Sequence, residues 1–295
     1  MENQKRAYEL VKRNILSHIE ENNIKLFDLW YRGESKIYDS MPSTLYRQMN
    51  FNGELDERKL SYLTTFDNIH RYEKWIYDKF TDELKEKNMD LYQSITKNGW
   101  DIVFFMQHYG IPTRFIDWSE DLNTSLFFAT EKAHLSEEDA VLWLFEPKKM
   151  NEILRGSYQL QHPEPDNTYG NFVNAYILGI NQDLGAAISS ISDSVGVYAS
   201  NDIERMYSQY GHFVFIPKEF RDMRQYIQEI VSGDNKLQER ILKKLIIPNN
   251  EARLINQYLE SIGCNSSKYK LNETPLINNQ GYTFTEFINH FQTRS

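Results

Sequence analysis

Gln107-His108-Tyr109-Gly110-Ile111-Pro112-Thr113-Arg114-Phe115-Ile116-Asp117-Trp118 is the stretch on which the reading of this chain turns. Polar side chains, aromatic rings and a Gly/Pro corner crowd together there, between an apolar run at Ile102–Met106 and a second at Leu126–Ala129. A helix–turn–strand connection needs the glycine and the proline, but not His, Thr, Arg, Asp and Trp as well. A buried polar group without a hydrogen bond costs about 1–3 kcal/mol. A junction this polar between apolar flanks therefore implies an internal network, a ligand site, or both.

Local signals assign the neighbouring elements. Asp101 opens a helix through Gln107 that Gly110 ends. Thr113–Trp118 alternates as a strand, with Thr113 and Asp117 on one face and Arg114 on the other. Ser119 is placed to cap a helix reaching Ala133, with Glu120 and Asp121 near its positive end. Ala140–Phe145, Gly211–Ile216 (stopped by Pro217) and Ile241–Ile247 read as further strands. Asn249 then caps a helix over Glu251–Ile262 that Gly263 closes.

Upstream, Tyr8, Val11, Ile15 and Ile19 recur at helical spacing within residues 4–20, and Phe27–Arg32 reads as a strand turning at Gly33. Arg58–Phe80 and Asp82–Ile95 read as two aromatic-rich helices, with a break at Asn98-Gly99. Residues 156–200 carry one apolar stretch, Phe172–Ile180, and no pattern that assigns their structure. Strands and helices that do not strictly alternate point to a single α+β domain rather than a doubly wound fold.

Composition narrows the function. Hydrophobic residues at 40% and aromatics at 14% supply a sizeable core and argue against disorder. A net charge of −9 disfavours nucleic-acid binding, which depends on clustered Lys and Arg. The nearest approach to a basic patch is Arg221, Arg224, Lys236, Arg240, Lys243 and Lys244, which reads as a solvated helix face. Cys264 is the single cysteine, so an internal disulfide and Cys-based zinc or redox motifs are excluded, which suits a reducing cytoplasm. The charged N-terminus has no apolar leader, and no apolar run nears the roughly 18 residues of a membrane span. A cytoplasmic protein with no membrane partner is the expectation. Walker, nucleophile-elbow and His-Glu-x-x-His motifs are absent, and the seven histidines lack ligand spacing, so no metal site is expected.

Three segments together resemble the FRG domain family, named for its Phe-Arg-Gly signature. They are Trp30-Tyr31-Arg32-Gly33-Glu34, with Tyr in place of Phe, the 107–118 block with Ser125-Leu126-Phe127-Phe128-Ala129, and Gln209-Tyr210-Gly211-His212-Phe213. Ile246-Ile247-Pro248 and the helix to Gly263 resemble the family's C-terminal strand and helix. The resemblance spans about residues 25–275. It implies an N-terminal helix at 1–24, an FRG-type domain with a mixed or antiparallel sheet and flanking helices, and a tail at 276–295 packed on that domain.

The resemblance also implies an ADP-ribosyltransferase-like fold, with NAD or another nucleotide as ligand, a protein target, and a setting in bacterial toxins or anti-phage defence. In that fold an Arg or His on the first core strand meets the ribose and phosphate side of NAD. A Ser, Thr or Tyr element and a helix follow, and a Glu or Gln lies near a later strand. Arg32, the Thr113–Phe128 block and Gln209 occur in that order. The chain departs from the pattern of active transferases because the final position is Gln209, with no Glu-x-Glu pair beside it.

The residues themselves leave alternatives open. Arg32 before Gly33 suits anion binding, since the guanidinium is a planar fork of donors and glycine admits close approach of a phosphate. It equally suits pairing with Glu34 or Asp117. His108 at a helix end would be favoured in its charged form by the helix dipole, or be a satisfied structural histidine. Thr113, Arg114 and Asp117 form a network under a ligand or a corner staple. The Gln209 amide can orient a ribose hydroxyl beside Gly211 but cannot act as a base, so a carboxylate must come from elsewhere, with Glu34 and Glu204 as candidates. Tyr31, Tyr109, Phe127 and Tyr210 are either ring platforms or core.

The expected cleft therefore joins Arg32–Glu34, Gln107–Asp117 and Gln209–Gly211. Arg32, His108, Thr113 and Gln209 are its candidate catalytic residues. Tyr31, Gly33, Glu34, Gln107, Tyr109, Arg114, Asp117 and Gly211 are its candidate ligand contacts. An NAD-consuming enzyme is one reading; a non-catalytic module that binds a nucleotide or a protein is the other.

Overall fold

The computed structural model describes residues 1–45, 66–95, 99–108, 111–160, 195–198, 209–216 and 222–269. Tyr109, Gly110, Phe172–Ile180, Glu204, Pro217 and the tail 276–295 lie outside the described residues. Within them, helices flank a six-stranded antiparallel sheet, the α+β arrangement expected from the sequence. The order begins α1 (Glu2–Asn22), a 3-10 turn (Leu26–Asp28), β1 (Trp30–Glu34), α2 (Phe66–Lys87), α3 (Met89–Ile95) and α4 (Gly99–His108). It continues with β2 (Phe115–Ser119), α5 (Leu122–Thr130), β3 (Ala140–Phe145), α6 (Pro147–Arg155), β4 (Val195–Tyr198) and β5 (Gly211–Phe215). Last come α7 (Met223–Ile230), α8 (Asn235–Ile241), β6 (Leu242–Ile247), α9 (Asn249–Ser261) and α10 (Ser266–Tyr269). No helix of the described residues is long and apolar enough to cross a membrane.

Strand order is β4-β5-β2-β1-β3-β6. All six residues of β3 are buried because both faces of the sheet are covered. Ala140, Leu142 and Leu144 join Tyr31 and Ile247 under α1, α5 and α9 on one face. Val141, Trp143 and Phe145 join Trp30, Trp118 and Val214 under α6 and α7 on the other. This double coverage accounts for the unbroken apolar run Ala140–Phe145, since a strand with one solvated face would alternate.

The sheet is unevenly sewn. β1 pairs with β3 at five positions, from Trp30↔Phe145 to Glu34↔Val141. β2 pairs with β5 at five positions, from Phe115↔Phe215 to Ser119↔Gly211. Between β1 and β2 the register holds one pair, Tyr31↔Ser119. Two three-stranded halves therefore meet at a single point and part beyond it.

Several local assignments shift. Phe27 is 73% exposed and lies in the 3-10 turn, so the first strand starts at Trp30 and contains Gly33 rather than turning there. Asp121, not Ser119, caps α5: its side chain accepts from the backbone N–H of Asn123 and Thr124, while Ser119 still pairs in β2. Pro248 precedes α9, and the Asn249 side chain instead donates to the carbonyls of Ala133, Ser136 and Glu138, tying α9 to the segment after α5. The basic stretch near α7 and α8 is only partly a solvated face. Arg240 donates to the fully buried Glu146 carboxylate at 2.8 Å, and Arg224 donates to the Asp39 carbonyl at 2.7 Å while lying over the Trp143 ring.

Candidate functional site

Where β1 and β2 part, a cavity of about 550 Å³ opens. That volume falls within the range typical of small-molecule sites, about 300–1,000 Å³. Tyr31, Arg32, Gly33 and Glu34 line it from β1, Asp117 and Ser119 from β2, and Gln209, Gly211 and His212 from the start of β5. Gln107 closes it from α4, and Thr124, Ser125 and Phe128 from α5. The cleft expected from the sequence is thus assembled from all three of its segments.

Arg32 bridges the parted strands. Its Nη1 donates to the Asp117 carbonyl at 2.9 Å and its Nε to Glu34 Oε1 at 3.3 Å. Nη2 makes no hydrogen bond among the described residues, so part of the fork remains available to an anion. The pairing reading of Arg32 is therefore realised with both candidate partners, one of them through its backbone. Glu34 is buried, and its second oxygen accepts from Trp143 Nε1 at 2.9 Å.

A polar relay fixes Asp117. Gln107 Nε2 donates to Asp117 Oδ1 at 2.9 Å. The other end of that amide accepts from the hydroxyls of Thr113 and Thr44. Thr113 Oγ1 in turn accepts the Phe115 N–H at 3.1 Å, and the Thr113 carbonyl accepts the Leu45 N–H at 2.9 Å. Thr113 is 2% exposed and lies behind Gln107, outside the cavity wall. The polarity of the 107–118 block is therefore an internal network whose front member, Asp117, faces the cavity. Asp117 is the exposed residue of β2, between buried neighbours on either side.

Arg114 points away from this site. It is 0% exposed, and its Nε donates to Glu73 Oε2 of α2 at 2.9 Å. The side chain of His108 and the whole of Tyr109 lie outside the described residues. Phe127 packs in the core against Tyr269, and Tyr210, with φ 48°, is 53% exposed; neither lines the cavity. Burial and the nearby Asp121 charge push the Tyr31 phenol up to about 12, so it remains a neutral hydroxyl at physiological pH.

Gln209 is anchored at both ends. Its carbonyl accepts from Ser119 Oγ at 2.6 Å, and its Nε2 donates to the Tyr269 carbonyl at 2.6 Å. Gly33 reads differently in three dimensions. A Cβ built on it would stand 1.8 Å from the Ser125 carbonyl oxygen and 2.7 Å from Ala129 N, so its missing side chain admits α5 rather than a ligand.

His212 is the wall residue that the sequence left among scattered histidines. Its Nε2 lies 3.2 Å from Glu120 Oε1, and its ring stacks on Trp30 at 4.9 Å. The His212 contact holds the Glu120 carboxyl below the usual carboxylate range. Only its place in Gly211-His212-Phe213, two residues beyond Tyr210, could have marked it. Among the described residues no group of three His, Cys, Asp or Glu side chains could hold a metal ion.

The cavity wall offers a mixed set of donors, acceptors and rings. A guanidinium with a spare donor can grip an anion, an exposed carboxylate can accept from hydroxyls, and Tyr31 and Phe128 supply ring surface. No curated protein and no solved structure matches the chain. Residues 28–138, which hold β1, the 107–118 block and α5, match the family model of the FRG domain, and the chain carries an FRG domain there.

Proposed function

We propose that this chain is a nucleotide-dependent enzyme of the ADP-ribosyltransferase type that consumes NAD in the cleft between β1 and β2. The observation that carries the reading is the parting of the sheet after Tyr31↔Ser119, which opens a polar cavity with Arg32 spanning the gap. In this reading Arg32 holds the pyrophosphate, Asp117 and Gln107 orient a ribose, and Gln209 keeps the start of β5 in place. NAD is the substrate, and the bond to be broken is the glycosidic one to nicotinamide. The family resemblance of the three segments suggests a cytoplasmic effector in a bacterial toxin or anti-phage setting, with a protein as acceptor.

A second reading is supported by Gln209. Its amide is bonded to the Tyr269 carbonyl, a structural use at the position where an active transferase would carry its acid. A module of this kind would bind a nucleotide or a protein without turning it over.

Calorimetric titration with NAD and an assay for released nicotinamide, on wild type and Arg32→Ala, test the proposal. Wild type is expected to bind and turn over. The variant, folded by circular dichroism, is expected to bind about ten- to a hundred-fold more weakly, the worth of a charge-assisted bond. Saturable binding without product selects the module. Neither binding nor turnover in folded wild type ends the nucleotide reading.

A further inference from the structure

Strand residues alternate between the two faces of a sheet, and this cavity is lined by both sets. From β1, Tyr31 and Gly33 face α5: Tyr31 belongs to the core beneath that helix, and a Cβ on Gly33 would overlap the Ser125 carbonyl oxygen. Arg32 and Glu34 face the other way, where Glu34 accepts from Trp143 of the core under α6 and α7. All four residues line the same cavity. Paired strands stand about 4.8 Å apart and leave no passage between them. Past Tyr31↔Ser119 the ladder between β1 and β2 stops, and the cavity reaches both faces of the sheet through the gap.

We propose that the cleft takes a dinucleotide threaded through the sheet, with one base on each face and the linking phosphates at Arg32. The inference rests on the nucleotide reading and adds to it the size and placement of the ligand. Each face offers a ring. On the α5 face, Phe128 lines the cavity beside the hydroxyls of Thr124 and Ser125. On the other face Tyr38 lines it beside Ser40; Tyr38 is 44% exposed, with Lys36 Nζ 5.4 Å from its ring centre. The loop that carries Tyr38 is anchored to α7. Arg224 donates to the Asp39 carbonyl at 2.7 Å, the Met41 N–H donates to Asp222 Oδ1 at 3.1 Å, and the Met223 N–H donates to the Met41 carbonyl at 3.3 Å. A large ring held nearly half in water on a fixed loop leaves apolar area that a stacked base would cover. Between the two rings, Arg32 spans the gap through its 2.9 Å bond to the Asp117 carbonyl. A ligand that passes from one face to the other therefore passes the guanidinium, which suits an anionic linker. A mononucleotide reaches one ring and the cation, whereas a ligand with two bases reaches both rings.

Calorimetric titration with NAD and with its two halves, AMP and nicotinamide mononucleotide, tests the proposal. The proteins are wild type, Tyr38→Ala and Phe128→Leu, each checked by its melting temperature. Wild type is expected to bind NAD at least about tenfold more tightly than either half. Tyr38→Ala is expected to weaken NAD about tenfold, the worth of one base on a ring, and to weaken only one of the halves. Phe128→Leu, which keeps an apolar side chain beside Tyr269, is expected to weaken NAD and only the other half. Halves that bind as tightly as NAD overturn the proposal and leave a mononucleotide site. Folded variants that leave NAD affinity unchanged also overturn it, as do two variants that weaken the same half, which would put the ligand on one face. Wild type that binds none of the three ends the nucleotide reading itself. Affinity is the readout, so the outcome does not depend on whether bound NAD is turned over.

Discussion

Gly33 of β1 and Ser125 of α5 are in direct backbone contact, so close that a single added methyl group at residue 33 would overlap the Ser125 carbonyl oxygen. This crossing sets α5 directly on the strand and brings Thr124, Ser125 and Phe128 to the cavity wall. Neither neighbour is a side chain that could rotate aside, because both nearest atoms belong to the helix backbone. Gly33→Ala is expected to cost about 3 kcal/mol or more, at or beyond the upper end of ordinary overpacking, with a matching drop in urea midpoint. A variant as stable as wild type would show that α5 can move away freely.

Arg114 and Glu73 form an ion pair with 0% and 3% side-chain exposure, joining the start of β2 to α2. Removing one partner breaks this pair where both side chains are out of water. Glu73→Gln or Arg114→Met alone is therefore expected to lose about 3–5 kcal/mol. The double variant Glu73→Leu with Arg114→Met is expected to lose much less, because both charges leave together. Chemical denaturation of the three proteins checks the order, and a double variant worse than either single one would contradict it.

His18 makes stability depend on pH. It is 4% exposed on α1, its Nδ1 lies 3.2 Å from Asn22 Nδ2, and its Nε2 has no hydrogen-bond partner among the described residues. Burial first, then the Lys243 charge, hold its pKa below 6.5, against the weaker pull of an Arg240 backbone contact, Glu21 and Glu239. The unfolded chain therefore takes up the proton first as pH falls. The stabilisation is complete above about 6.5 and is lost as pH drops through the folded value. His18→Gln is expected to flatten the fall in melting temperature below that pH; an unchanged slope would assign the acid sensitivity to other groups.

The parts that short-range chemistry specifies were legible in advance. The helical repeat of Tyr8, Val11 and Ile15 appears in α1, and the apolar run Ala140–Phe145 is β3 to the residue. The corner at 107–118 joins α4 to β2 through its own polar network, as its composition required. The structure departs from the local signals where two of them compete. Phe27–Arg32 reads as strand, yet Phe27 is 73% exposed, and the strand begins where Trp30 can be buried from both sides. Ser119 suits a helix cap, but its pairing with Tyr31 and Gly211 keeps it in β2 and leaves the cap to Asp121.

The fold class, the strand at 140–145 and the polar junction follow from turn chemistry and periodicity, which act over a few neighbouring residues. The site does not. Which acid faces the cleft depends on Trp143 holding Glu34 from 109 residues away and on Gln107 reaching Asp117. That Gly33 serves a helix, and that Gln209 is bonded to Tyr269, are likewise contacts between distant segments. The cleft exists because β1 and β2 share one pair and then separate, a matter of strand register across 88 residues. Register is set by how whole faces pack together, and no window of sequence contains that information.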